Sequence, residues 1–453
     1  MPQHILIDAA QRGEQFLSAL PDRSVYPTAE ALEGLSAFDV PLQEEPVDPA
    51  QVLEELDSIG SPATVASPGG RYFGFVIGGT LPAAQGASVL AAAWDQNAGL
   101  EMTSPVSSAL ERVASGWLLS VLGLPESAAT GFVTGATQGN FTALAAARHA
   151  LLSRADWDVE EQGLYGAPEI KVVVGEEVHV SVLKAVSMLG LGRGRLTKVP
   201  VDDQGRIRAD QVPELDDMTL LCLQSGNVNS GAFDPLEELC QKAEGAGAWV
   251  HVDGAFGLWA NATAKYAHLL TGVELADSWA TDAHKWLNVP YDSGLCFVRN
   301  PEDLVAAMSS TAAYLVELGP RQPFHFTPEL SRRARGMEIW AALRSLGRQG
   351  LAEMFERNCD QARRMAEALT ARGIEILNEV VLNQVLARFG NDDRTVQVMK
   401  HIQAGGEVWA SDTVWQGKRA LRLSVSSWAT TDDDVDRTLR AIFEAHDLVK
   451  ATT

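Results

Sequence analysis

Three short stretches carry residue types that could act together on a small molecule. Lys285 lies in DSWATDAHKWLNVPYDSG, residues 277–294, among small, polar and aromatic residues and no other lysine or arginine. A partly desolvated lysine loses its proton more readily and becomes an amine able to form a Schiff base, and His284 beside it can reach an anionic group. Asp253 closes the apolar run AWVHVD and is followed by Gly254 and Ala255. A carboxylate at such a place needs a partner, because a lone buried charge is costly; a cationic ring nitrogen is one such partner. In GFVTGATQGNFTAL, residues 131–144, a strand-like FVT runs into Gly135, Ala136 and Thr137 and then into a helical stretch. Small residues let the backbone approach an anion, a helix N-terminus offers free N–H groups, and Thr137 adds a hydroxyl. Each stretch also has a plain structural reading: a surface lysine, a capping or salt-bridged aspartate, a helix capped by Thr134 or Thr137.

The elements that must position them follow from the pattern. Helix-like stretches at 83–94, 106–122, 139–153, 180–190 and 235–245 alternate with the short apolar runs IKVVVG, TLLCLQ, AWVHVD and GLCFVR. Continuous apolar strands separated by helices predict an α/β fold with a mostly parallel sheet covered on both faces. Ligands in such sheets sit at the C-terminal strand ends, where all three stretches fall. Together they supply an amine, an acid for a pyridinium nitrogen and an anion cradle, the three things pyridoxal 5'-phosphate requires. Residues 1–65 read as helices and a proline-broken acidic linker, with Asp48 capping a helix before Pro49 and too little apolar surface to stand alone. Residues 66–310 form the expected large domain. Residues 311–453 form a smaller α+β domain with a long helix at 349–372, the runs LNQVLARF and RALRLSVSS, and a helix at 432–444.

Composition narrows the function. Of 453 residues, 46% are apolar and 21% charged, and the net charge of −23 leaves no basic face for a nucleic acid. The four cysteines lack CxxC spacing, so buried free thiols, a reducing cytoplasmic setting and no metal site are expected. Neither a secretory leader nor an apolar run long enough for a membrane span is expected.

DSWATDAHKW, HVDGAFG, GEEVHVSVLKA, NVNSGAFDPL, WDQNAGLEMTSPVSSALE and LSRRARGMEIWAALRSLGRQG together resemble the group II pyridoxal-phosphate-dependent amino acid decarboxylases, the aromatic-L-amino-acid and glutamate decarboxylase family, from about residue 50 to 445. The resemblance implies the aspartate-aminotransferase type of fold and a homodimer with active sites at the interface. It implies that Lys285 binds the cofactor aldehyde, Asp253 pairs with the ring nitrogen, and His179 and Ala255 flank the ring. Ala136, Thr137 and His284 would hold the phosphate. Arg422 falls where relatives bind the substrate carboxylate, and Tyr72, Phe73 and Trp94 would line the pocket for a small-molecule amino acid. The implied reaction is decarboxylation at Cα to an amine. Other outcomes on the same scaffold stay open: an aldolase-type lyase, an aminotransferase or a decarboxylation-dependent aldehyde synthase, and a non-catalytic binding protein is the remaining reading.

Two departures stand out. Val228 occupies a position where relatives often carry a threonine near the cofactor, leaving Asn227 or Asn229 as substitutes. The segment LVELGPRQPFHFTPE holds no tyrosine, the residue that in many relatives returns a proton after carbon dioxide leaves. Tyr314 lies upstream, and His325 is the expected substitute.

Overall fold

A computed structural model describes residues 5–309 and 322–452. The N-terminal segment holds α1 (Ile5–Ala19), α2 (Ala29–Gly34) and α3 (Pro49–Gly60), none of which contributes a buried residue. Asp48 caps α3 as expected, its carboxylate accepting from the Ala50 N–H at 2.8 Å. Arg12 ties α1 to α3 through Glu54 and Asp57.

The large domain follows. It contains α4 (Pro82–Trp94), α5 (Pro105–Leu122), α6 (Ala136–Arg154), α7 (Val159–Gln162), α8 (Val180–Met188), α9 (Leu236–Ala246) and α10 (Pro301–Met308). Its strands are β1 (Ala129–Val133), β2 (Lys171–Gly175), β3 (Thr197–Val199), β4 (Thr219–Gln224), β5 (Trp249–Asp253), β6 (Ser278–Asp282) and β7 (Gly294–Val298). They form one sheet in the order β1-β7-β6-β5-β4-β2-β3, parallel except for β7, which runs antiparallel to both neighbours. The mostly parallel α/β sheet expected from the alternation is therefore present. The four apolar runs are β2, β4, β5 and β7. β6 was not among the apolar runs because SWATD mixes polar and apolar residues, yet it leads into Lys285.

The sheet is buried on both sides, which explains why its strands read as continuous apolar runs. Val250 and Val252 of β5 face a core built with α5, α9 and the helix at 336–371. Trp249 faces the opposite core, built with α6 and α8. Side chains alternate along a strand, so His251 and Asp253 share the face of Trp249.

The C-terminal part carries α11 (Gly336–Ala371), β8 (Glu375–Ile376), β9 (Gln384–Arg388), α12 (Asp392–Gly405), β10 (Ser411–Trp415), β11 (Lys418–Ser424) and α13 (Asp432–Thr452). The four strands order as β10-β11-β9-β8, all antiparallel. The long helix starts thirteen residues earlier than the expected 349 and breaks at Gly347, whose φ of 61° and ψ of −175° leave the helical region. Before that break it packs Ile339 and Leu343 into the large core; its C-terminal half packs Met365 and Leu369 into a separate small core with Val385, Leu421 and Leu423. One helix thus joins the two cores. α12 and β10 were not distinguished in the sequence.

Candidate active site

β5 and β6 are parallel neighbours that end at the same edge of the sheet. Asp253 is the last residue of β5 and Asp282 the last of β6, with Lys285 in the turn that follows. Lys285 Nζ lies 2.9 Å from Asp282 Oδ2. Asp282, 3% exposed, also faces His284 Nε2 at 3.3 Å and accepts from the Ala136 N–H at 2.5 Å. Burial opposes charge on Asp282, but Lys285 and His284 outweigh it and hold the carboxyl below the usual carboxylate range. His284 Nδ1 accepts from the Ser293 N–H at 3.1 Å, which leaves Nε2 to carry the ring proton toward Asp282. Burial lowers the His284 pKa against the pull of Asp282.

The lysine turn is clamped from three sides. The Trp286 ring stacks on Phe355 at 3.9 Å, and its indole N–H donates to Asn358 Oδ1 at 3.0 Å. A Cβ on Gly78 would stand 1.9 Å from the Lys285 carbonyl oxygen, so only glycine passes there. Asn288, with a φ of 56°, accepts from the N–H groups of Gly79 and Trp428 at 2.7 and 2.9 Å. It donates to the carbonyls of Trp286 and Ser426 at 2.9 and 3.0 Å. One buried amide thereby links the 74–79 loop, the lysine turn and the small domain.

Asp253 Oδ2 accepts from Asn140 Nδ2 and Ser181 Oγ, both at 3.1 Å, and Oδ1 accepts from the Ala255 N–H at 3.2 Å. His179 caps α8, with Nδ1 accepting from the Ser181 N–H at 3.2 Å and lying 2.7 Å from Ser181 Oγ. Burial lowers its pKa; Asp253 pulls it up and Lys285 pushes it further down. Ser181 Oγ links His179 to Asp253, lying 2.7 Å from His179 Nδ1 and 3.1 Å from Asp253 Oδ2. Gly135, Ala136 and Thr137 open α6 at the same edge, where the first N–H groups of a helix lack intrahelical partners. A Cβ on Gly135 would meet His284 Cε1 at 3.1 Å and Asp282 Oδ1 at 3.3 Å, so the backbone passes close to both.

Arg422 is 6% exposed, with Nη1 donating to the Val228 carbonyl at 3.2 Å and to Asn229 Oδ1 at 3.1 Å. Its Nε has no hydrogen-bond partner among the described residues. The pocket candidates divide. Tyr72 stacks on Trp409 at 5.0 Å, while Phe73 is 1% exposed and packs in the small-domain core. Trp94 ends α4 and is 47% exposed. His325 sits in a short 3-10 turn, Pro323–Phe326, with its ring near Phe324 and Phe326 and Nδ1 accepting from the Gln322 N–H at 3.4 Å. No described hydrogen bond or ring contact joins it to Lys285, Asp253 or His179. Tyr314 lies outside the described residues.

Comparison with known proteins decides the family. A family model for the pyridoxal-dependent decarboxylase conserved domain matches residues 35–389. The chain belongs to the pyridoxal-dependent decarboxylase family. This decarboxylase is 27% identical over 407 residues to an aromatic-L-amino-acid decarboxylase from Bacillus atrophaeus, covering 84% of this chain and 81% of the relative. It is 25% identical over 448 residues to a phenylacetaldehyde synthase from Petunia hybrida, covering 89% and 86%. Its fold matches the crystal structure of Oryza sativa TDC with PLP and tryptamine at a TM-score of 0.90 and 20% identity, covering 98% of this chain and 97% of that one. The decarboxylase is thus a carboxy-lyase that uses pyridoxal phosphate, and the amine, buried carboxylate and glycine-lined helix end suit that cofactor.

The structure also brings in residues that were quoted within motifs but given no role. Asp282 pairs with Lys285, and an acid three residues before a lysine at a strand end was the available signal. Asn140 and Ser181 serve Asp253 from two different helices, which no local pattern reveals. The Tyr291 ring stacks on His284 at 4.3 Å. Burial raises its phenol pKa, and Asp282 and Tyr72 push the same way.

Proposed function

We propose that this chain removes the α-carboxylate of an L-amino acid as carbon dioxide, replaces it with a proton and releases the amine. The observation that carries this reading is the placement of the Lys285 amine and the buried Asp253 carboxylate at the ends of adjacent strands, with the α6 N-terminus at the same edge. When bound, pyridoxal phosphate supplies a ring that accepts the electron pair of the broken Cα bond. Lys285 would hold it through its amine and Asp253 would face the ring nitrogen. His179 and Ala255 would flank the ring, and Ala136, Thr137 and His284 would hold the phosphate.

The chain's own groups do the rest. Asp282 orients Lys285 Nζ and fixes the His284 tautomer. Arg422, buried and short of partners, offers a cation to a substrate carboxylate. Tyr72, Phe75 and Trp409 form a stacked aromatic group that supports a bulky or aromatic substrate side chain; Phe75 stacks on Trp409 at 5.6 Å. Phe73 is assigned to packing.

A second outcome is supported by a specific feature: residues 315–329 contain no tyrosine, and one relative is named an aldehyde synthase. Incubation with a panel of L-amino acids separates the two. Carbon dioxide with one equivalent of amine is expected; aldehyde with ammonia and peroxide would replace the amine reading. No carbon dioxide from any substrate would overturn both.

A further inference from the structure

Beneath Asp253 lies a buried hydrogen-bond chain that the reaction as described does not use. Trp249 Nε1 donates to Ser278 Oγ at 2.9 Å. Ser278 Oγ lies 2.9 Å from His251 Nδ1, and His251 Nε2 lies 2.9 Å from Asn140 Oδ1. Asn140 Nδ2 then reaches Asp253 Oδ2 and Ser181 Oγ, each at 3.1 Å. Asn140, His251 and Ser278 are all 0% exposed, so no water competes for these groups. The parallel register sets His251 directly opposite Ser278, and strand alternation sets His251 on the same face as Asp253.

Every proton in this chain has one possible place. The Asp253 carboxylate only accepts, so the Asn140 amide must present its N–H to it; the flipped amide would set oxygen against oxygen. Asn140 Oδ1 then only accepts, and His251 Nε2 must carry the proton. Burial lowers the His251 pKa to about 4, so the ring is neutral and Nδ1 is bare. Nδ1 accepts from Ser278, whose oxygen accepts from Trp249. The donors run one way, from the indole to the carboxylate.

We propose that His251 is a positioning residue for Asp253. Held as its Nε2–H tautomer by Ser278, it locks the Asn140 amide in the one orientation that turns the amide N–H to Asp253 Oδ2, beside the donors Ser181 Oγ and Ala255 N–H. It thereby fixes how the carboxylate meets the cofactor ring nitrogen. The proposal rests on the assignment of Asp253 to that nitrogen. Without the Nε2 donor, Asn140 is free to rotate, and Asp253 loses one of its three fixed donors.

The test compares full-length His251→Leu and His251→Gln with the parent. Leucine fills space without a donor; the glutamine amide N–H can stand in for Nε2–H. Three quantities are read: thermal midpoint of the cofactor-free protein, affinity for pyridoxal phosphate by absorbance titration, and the 15N shift of the labelled cofactor ring nitrogen. His251→Leu is expected to weaken cofactor binding about tenfold and to move the ring nitrogen toward its unprotonated shift. His251→Gln is expected to restore both to within about threefold of the parent. If the midpoint falls while affinity and ring shift stay at parent values, His251 is a core residue only and the proposal is overturned. Ser278→Ala, a smaller change that releases the tautomer, should move the ring shift in the same direction, and an unchanged shift there overturns the proposal even if His251→Leu does not fold. Asp253→Asn serves as the control for the underlying assignment: if it leaves the ring shift unchanged, the role of Asp253 fails, whereas a shift in Asp253→Asn with none in the His251 variants fails the relay alone.

Discussion

Lys285 is a surface-type residue placed where its amine has one close acid, Asp282 Oδ2 at 2.9 Å. If that amine holds the cofactor, Lys285→Ala should keep the fold and lose all borohydride-reducible adduct, read by mass spectrometry of the reduced protein. An adduct persisting at the same site would assign the attachment elsewhere. His325 calls for a product measurement instead. Burial lowers its pKa, its ring lies beside Phe324 and Phe326, and no described hydrogen bond or ring contact joins it to Lys285, Asp253 or His179. His325→Phe is expected to leave the amine-to-aldehyde ratio within about twofold of the parent, as a packing residue would. A collapse of amine in favour of aldehyde would establish it as the proton donor. Asp253 and its partners show how residues become a site: Asn140 from α6 and Ser181 from α8 both donate to Oδ2, and neither is near Asp253 in sequence.

The turns and strand ends do the positioning. Asn288 satisfies four backbone groups from three segments, and it does so from a left-handed backbone conformation that asparagine tolerates better than most residues. Asn288→Ala would leave several of these groups unpaired in a dry site, at about 1–3 kcal/mol each. We expect a loss of at least about 3 kcal/mol in denaturant unfolding, with weakened cofactor binding because the lysine turn loosens. A midpoint within experimental error of the parent would mean that water replaces the amide. The β5 strand offers a pH test. The His251 pKa is about 4 in the folded chain, against ~6.5 in an unfolded one. As pH falls from about 6.5 toward 4, the unfolded state takes up a proton that the folded state refuses, so stability falls across that window. The slope is roughly 1.4 kcal/mol per pH unit from this residue. Urea midpoints at pH 7, 6 and 5 should therefore fall faster for the parent than for His251→Gln. Parallel curves would show that His251 titrates alike in the folded and unfolded chain.

At the scale of the molecule, the N-terminal segment is the open question of assembly. α1, α2 and α3 bury no residue, and Leu42 is 90% exposed, Val40 68% and Leu56 58%. Scattered apolar exposure is ordinary, but a whole segment without a core of its own needs a partner surface. A homodimer is the assembly we propose, with an obligate interface of about 2,000 Å² or more. Sedimentation velocity at nanomolar concentration should find the dimer, and an active monomer there would exclude it. Deleting residues 1–60 should yield monomer or aggregate by the same measurement.

The sequence by itself determined the elements that depend on local pattern. Apolar runs flanked by helical stretches marked β2, β4, β5 and β7, because strands buried on both faces must be apolar throughout. Asp48 before Pro49 marked the start of α3, because a cap acts within one turn. The motifs around Lys285, Asp253 and His179 marked the family, because a cofactor's demands limit which residue types can stand at each strand end. Only the tertiary structure decided who meets whom. β6 is too polar to stand out as an apolar run, and it is a strand because β5 and β7 pair with it on either side. α11 runs on past a break at Gly347 and serves two cores, the large one through Cys359 and the small one from Ala362 onward. Phe73 looked like a pocket residue and is core, because its neighbours Leu421 and Leu423 come from the far end of the chain. Asp282, Asn140 and His251 gain their roles from hydrogen bonds across elements. Those bonds are directional and short, and sequence spacing carries no information about them until the sheet has brought the strand ends together.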